Sequence, residues 1–160
     1  MKKENKELCD NMFAVANSYK ASAELLKVAN ELITDSARRH NIKVNGRPLE
    51  FESVILSRLL LYSLNVEILL KALYLIEFDD VMKTHEWTEI FDHLPKARQQ
   101  EIIEKMNPVF QTNFHDLLNE NKNTFVEWRY SYENSKLKSD FSFVQNLTNV
   151  LAEIIMPIVN

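Results

Sequence analysis

The chain has 160 residues, 46% of them hydrophobic and 26% charged, with a net charge of −4. A domain of that size buries roughly 70% of its unfolded surface and needs no disulfide or metal to hold it, and its acidic balance provides no global positive field to steer nucleic acid. One Gly and four Pro leave little material for turns, which argues against a β-rich fold, while the lone Cys9 excludes an intramolecular disulfide and suits a reducing cytoplasm.

The N-terminus, MKKENKELCDN, carries basic residues with no apolar core behind them and does not read as a signal peptide. From Glu7 to about Arg39 apolar residues recur near a 3.6 period: Phe13, Ala14, Tyr19, Leu25, Leu26, Val28, Ala29, Leu32 and Ile33. This predicts a helix of unusual length, ending in Arg38, Arg39 and His40, cations that suit a helix C-terminus. The run from Asn41 to Pro48 is a turn with Asn45-Gly46 at its tip, and Pro48 is placed to open the next helix.

That helix is expected to run to about Phe78. Its centre, Leu59 to Ile76, reads LLLYSLNVEILLKALYLI, with Glu67 and Lys71 as its only charges. Apolar residues lie on every side, so it should be buried on most of its circumference and the other helices should pack around it. Ser63, Glu67 and Lys71 fall at i, i+4 and i+8 and share one face. The helix is apolar enough to raise a membrane span, but two central charges would be costly in lipid; a core helix, with no membrane association, is the better reading. Glu67 and Lys71 are expected to be buried and paired, because buried charges need partners.

Asp79 to Thr84 reads as a loop, with Thr84 capping a short helix from His85. HEWTEIFDHL should stop at Pro95 and KARQQEIIEKM before Pro108. A long helix is expected from about Val109 to Asn134, with an apolar stripe of Phe114, Leu117, Leu118, Phe125, Trp128 and Tyr132. A polar break, ENSKLKSD, precedes a last helix from about Phe141 to Met156. Nothing reads as a strand, a repeat or an inter-domain linker. The sequence predicts a single all-α domain over residues 1–160, an antiparallel up-down bundle with a long N-terminal helical hairpin and short connecting helices.

Metal and cofactor chemistry find little support. HEWTE begins like the HExxH zinc motif, but the fifth position holds Glu89. His40 and His115 lack a paired spacing, and one Gly cannot build a phosphate loop. Cys9, in a terminus expected to fray, has no His nearby in sequence to act as its base. No metal and no cofactor are expected.

Two phosphate-binding candidates remain. The window from Ser36 to Arg47 holds Arg38, Arg39, Lys43 and Arg47 and no acid; it reads as a solvated helix end or as a phosphate contact. The stretch from Phe125 to Glu133, FVEWRYSYE, sets Arg129 among Trp128, Tyr130 and Tyr132, where aromatic packing would hold its guanidinium in a fixed orientation. Glu133 at i+4, or Glu67 on the polar face of the core helix, can pair with it.

The runs NVEILLKALYLIE, THEWTEIFDHLP and FVEWRYSYE together resemble the HEPN domain of prokaryotic nucleotide-linked toxins and defence proteins. The matching pieces are Glu67, Lys71, Ala72 and Leu73, then His85 and Phe91, then Arg129 and Tyr130, in order over about residues 50 to 135. The resemblance implies a helical bundle, a homodimer, RNA or a nucleotidyltransferase-like protein as partner, and a role in toxin–antitoxin, defence or stress systems. Active HEPN members are metal-independent endoribonucleases with Arg followed, four to six residues on, by His. Arg stabilises charge building on the phosphate, and His moves protons for 2′-hydroxyl attack. Here those positions hold Asn134, Ser135 and Lys136. Asn134 can hydrogen-bond a phosphate or ribose but cannot shuttle a proton. A degenerate site built on Arg129 and Asn134 is expected, or an active enzyme if His85 or His93 lies beside Arg129, or an interaction protein without chemistry.

Overall fold

The computed structural model describes residues 1–41, 43–44, 47–48, 52–124 and 139–159, with side chains for all of these except 37, 43, 44, 47, 48 and 52–56. Within them the chain is an all-α bundle. Helix α1 (Lys3–Arg39) and helix α2 (Glu52–Phe78) form the expected long antiparallel hairpin. Asn41, with φ of 50°, ends α1 in the left-handed region that a short polar residue tolerates.

One small addition to the helical reading lies at the hairpin turn. Lys43–Val44 (β1) pairs antiparallel with Arg47–Pro48 (β2), Lys43 opposite Pro48 and Val44 opposite Arg47. Pro48 therefore ends a ladder instead of opening α2, which starts at Glu52. Lacking an N–H, proline is tolerated at such an edge. The expected tip, Asn45-Gly46, lies outside the described residues.

Helix α2 is the centre of the fold. Helix α1 packs along one side of it, helix α7 (Phe141–Val159) along another, and the short helix α3 (Trp87–His93) on a third. Tyr62, Val66, Leu69, Leu70, Ala72, Leu73 and Leu75 are buried between them. By length and hydropathy alone, Ser57–Phe78 and Phe141–Val159 would each suffice to cross a membrane. In the structure more than half of the first window and half of the second are buried inside the bundle.

Helix α1 turns a different face to the core than its periodicity suggested. Its buried residues are Cys9, Ala16 and Ala23, spaced by seven, together with Phe13. Ala14, Leu25, Val28, Leu32 and Ile33 are exposed. The small core-facing residues let α1 approach α2 closely, which a row of leucines would prevent. Cys9 is not in a frayed end: it is fully buried, and burial, then the nearby Asp10, push its thiol above the ordinary value. The terminus is held by Asp79, in the left-handed region at the end of α2. Its carboxylate accepts from the Lys2 backbone N–H at 2.9 Å, and the Asn5 amide donates to its carbonyl at 2.8 Å.

The remaining helices are α4 (Lys96–Lys105), α5 (Pro108–Gln111) and α6 (Phe114–Asn121). The long helix expected from Val109 is broken. Asn107 caps α5 through Val109 N–H, Thr112 and Asn113 interrupt the chain, and α6 restarts at Phe114 and ends at Asn121. Apolar spacing survives the break: Phe114 and Leu118 are buried and Leu117 half-buried, with Phe114 5.1 Å from Phe91 and 5.8 Å from Phe143 between ring centres. At the corner between α3 and α4, the buried Gln99 side chain donates to the carbonyls of Asp92 (3.1 Å) and Leu94 (2.9 Å), satisfying groups left by the end of α3.

A polar knot ties three long helices. The Tyr62 hydroxyl of α2 donates to Glu24 of α1, and the Gln145 amide of α7 donates to Glu24 at 3.2 Å and to the Tyr62 oxygen at 3.1 Å. Arg58 donates to the Ala23 carbonyl at 3.1 Å and lies 4.8 Å from the centre of the Phe141 ring. The Tyr62 hydrogen bond, opposed by burial and helped by Arg58, holds the Glu24 carboxyl below its ordinary value. The stability that this gives is present above the ordinary carboxylate range and is lost as pH falls through the lowered folded value. Tyr62→Phe is expected to cost about 1–2 kcal/mol in urea unfolding at pH 7, with the gap to wild type closing as pH is lowered and Glu24 becomes protonated. A gap that stays constant with pH would show that the hydroxyl does not act through the ionised carboxylate.

Candidate functional site

The polar face of α2 becomes a compact ion cluster. Ser63 takes no part in it, since its hydroxyl donates back to the Leu59 carbonyl at 2.7 Å. Glu67 is the focus. One of its oxygens, Oε1, accepts from Lys71 Nζ at 2.9 Å and lies 2.7 Å from His85 Nδ1. The Glu67 side chain is 8% exposed, that of Lys71 15% and that of His85 70%. The expected burial and pairing of Glu67 and Lys71 is therefore what the fold contains, and His85 joins them from 18 residues away.

This geometry fixes a tautomer. An ionised carboxylate only accepts, so the proton must sit on His85 Nδ1. Lys71 Nζ is 3.5 Å from the same nitrogen, but both groups are donors converging on Oε1, so that contact is proximity and not a bond. Nε2 is left as the ring nitrogen available to donate or accept on the exposed side of the ring. A carboxylate that holds one imidazole nitrogen while the other faces outward is the arrangement that orients a histidine for proton transfer.

Local structure explains why His85 arrives there. It precedes α3 instead of starting it. Thr84 does act locally, but its hydroxyl accepts from Glu86 N–H at 3.2 Å, and the helix begins two residues later than expected, at Trp87. The buried Trp87 indole anchors the chain, Glu86 before it is extended, and His85 lies in the non-helical stretch, its ring meeting α2 at Glu67.

The chain that leads into FVEWRYSYE passes beside this cluster. Trp87 N–H donates to the Lys122 carbonyl at 3.4 Å, and Lys122 Nζ pairs with Glu86 at 2.8 Å. That pairing, chiefly the lysine's hydrogen bond, holds the Glu86 carboxyl below its ordinary value. The fully buried Asn121 then closes the base of the segment. Its Oδ1 accepts from Ser139 Oγ at 2.6 Å and from Asp140 N–H at 3.1 Å, and its Nδ2 donates to the Leu117 carbonyl at 2.8 Å. The chain thus leaves at Asn121 and returns to it. Arg129, Tyr130, Glu133 and Asn134, with Phe125, Trp128 and Tyr132 of the expected stripe, lie outside the described residues. Nothing in the sequence marked Asn121, one asparagine in a polar run.

The other candidates stay apart. Arg38 and Arg39 are exposed at the end of α1, and Arg38 lines a shallow surface pocket together with Glu31 and Asp35, whose carboxylates offset its charge. Lys43 and Arg47 sit on the two strands of the ladder, their side chains outside the described residues. His93 Nδ1 lies 2.7 Å from the Glu89 carbonyl of its own helix, and His115 packs its edge on Phe91 and Phe114. Among the described residues no three His, Cys, Asp or Glu side chains gather as a metal set. No protein-family model, characterised protein or solved structure matches the chain.

Glu67→Gln removes the charge on which two donors converge and strands Lys71 against the core. It is expected to cost about 3 kcal/mol in chemical denaturation. His85→Gln removes a largely exposed partner and should cost under about 1 kcal/mol. Equal losses from the two substitutions would mean that the lysine pairing is not the dominant part of the cluster.

Proposed function

We propose that this chain is a HEPN-like helical module, a cytoplasmic homodimer that binds RNA in a prokaryotic defence, toxin–antitoxin or stress system and carries a degenerate ribonuclease site. The observation that carries the reading is the meeting of Glu67, Lys71 and His85 on one carboxylate oxygen. Two of the motif pieces behind the resemblance, far apart in sequence, thereby form one cluster. The third follows Lys122, which is bonded to Glu86 and Trp87 just after His85. Glu67 and Lys71 already balance each other's charge. An Arg129 guanidinium delivered to this cluster, held by Glu133 or Glu67 without a ligand, would offer a bidentate fork for which a phosphate competes with the carboxylate.

A second reading, an active metal-independent endoribonuclease, draws on one specific feature. His85 is held by Glu67 at Nδ1 with its ring exposed, so it has the set-up of a general base or acid that the Arg-to-His spacing lacks. One experiment separates the readings: incubation with RNA in EDTA, alongside RNA affinity at one fixed salt concentration, for wild type, Arg129→Lys and His85→Gln. The degenerate-site reading expects binding without cleavage, at least about tenfold weaker in Arg129→Lys because the bidentate fork is lost, and unchanged in His85→Gln. Cleavage that His85→Gln abolishes would establish the second reading. No RNA affinity above a basic-patch control would leave a protein-binding module, with a nucleotidyltransferase-like protein as the partner to test.

A further inference from the structure

The outward face of α1 has the pattern of an unpaired coiled coil. With Leu8 as position a of a heptad, positions a and d read Leu8, Asn11, Val15, Ser18, then Ser22, Leu25, Ala29, Leu32. All of these are exposed except the half-buried Ala29. Leu25 is 70% exposed and Leu32 65%. Between Leu8 and Ile33 none of the a, d, e or g positions carries Asp, Glu, Lys or Arg. The charges of this stretch, Asp10, Lys20, Glu24, Lys27 and Glu31, occupy c and f, beside the core-facing stripe of Cys9, Ala16 and Ala23. A helix with only one buried face keeps its charges opposite that face. Here the side opposite the core is the uncharged one.

We infer that this face is the seam of a two-fold dimer, occupied by α1 of a second copy of the chain in antiparallel orientation. An antiparallel coiled coil sets a against d, and here the spacing is self-complementary about Lys20. Leu8 meets Leu32 of the partner, Val15 meets Leu25 of the partner, and Ser18 meets Ser22 of the partner. The small central layer lets the helices come close, and the large residues close both ends. An isologous contact sets each group near its own copy. On a chain with net charge −4, an uncharged strip meets that condition without like-charge repulsion.

The size also fits. From Leu8 to Leu32 the strip is about 36 Å long. With its flanking rows it offers on the order of 700 Å² per copy, near the roughly 800 Å² of a standard stable interface. A groove of about 250 Å³ lined by Leu8, Asn11, Met12, Val15 and Ile68 extends the strip onto α2. The inference rests on the homodimer reading above and deepens it by naming the face and the register.

The test uses the full chain, with light scattering for mass and circular dichroism for fold. Wild type should have twice the 18.8 kDa chain mass. Leu25→Glu, at an exposed site, should stay folded and weaken dimerisation at least about 100-fold, because it buries a carboxylate at the seam. Adding Val15→Lys to Leu25→Glu should restore the dimer, since antiparallel pairing sets the new lysine against the new glutamate of the partner. A wild-type monomer overturns both the face and the homodimer reading. A dimer that survives Leu25→Glu overturns the face and leaves the homodimer reading standing. Loss without rescue by the second substitution overturns the antiparallel register.

Discussion

The fold depends on one helix that is apolar around most of its circumference and must be covered on several flanks. That helix is α2. Helix α1 covers one flank with Cys9, Ala16 and Ala23, α7 another through Phe143, Val144 and Leu147, and α3 a third with Trp87, Ile90 and Phe91. Apolar cover cannot be given to Glu67. A carboxylate at that depth is stable only if charge and hydrogen bonds reach it, and Lys71 from the same helix leaves one side to be filled. His85 fills it. Residues 79–86 thus bring an imidazole to α2 before α3 begins at Trp87.

This explains which parts of the structure were legible in the sequence. The core helix, its ion pair and the long hairpin follow from composition and i, i+4 spacing, both local properties. Helix α3 starts two residues later than its local sequence indicates, and His85 is held there by a group 18 positions away, a contact with no local trace. The break at Thr112 and Asn113 was invisible for another reason. Phe110 and Phe114 keep helical spacing across it, and a period of 3.6 records which side chains reach the core, not whether the backbone between them is continuous. Terminal fraying was expected from the polar composition of residues 1–11. The tether from Asp79 to Lys2 and Asn5 spans the whole hairpin and is not readable from either end. At the candidate site, the pairing of Glu67 with Lys71 was legible, whereas the clasp at Asn121 was not.

Asn121 and Glu67 play matched parts. Each is a buried polar group on which several bonds converge. Glu67 sets the orientation of His85. Asn121 joins residues 139 and 140 to the end of α6, so that both ends of the stretch holding Arg129 start from one point. Lys122 then ties that point to Glu86, the neighbour of His85.

The periodicity of helix α1 is real, but it sums two apolar faces, one of small residues and one of large. Only packing tells them apart: the small face fits the close approach to α2, and the large face is left outside. The hairpin register sharpens the consequence. Lys2 lies at Asp79 and Ala23 at Arg58, so nearly the last three turns of α1, at about 3.6 residues per turn, run past the start of α2 at Glu52. Helical turns without a packed face are marginal in water, yet this end carries Leu32 and Ile33 outward. In the antiparallel pairing inferred for α1, the partner's Leu8 falls against Leu32, which brings apolar cover to the part of the helix that α2 does not reach. The same contact that would join two copies would thus complete the hairpin within each.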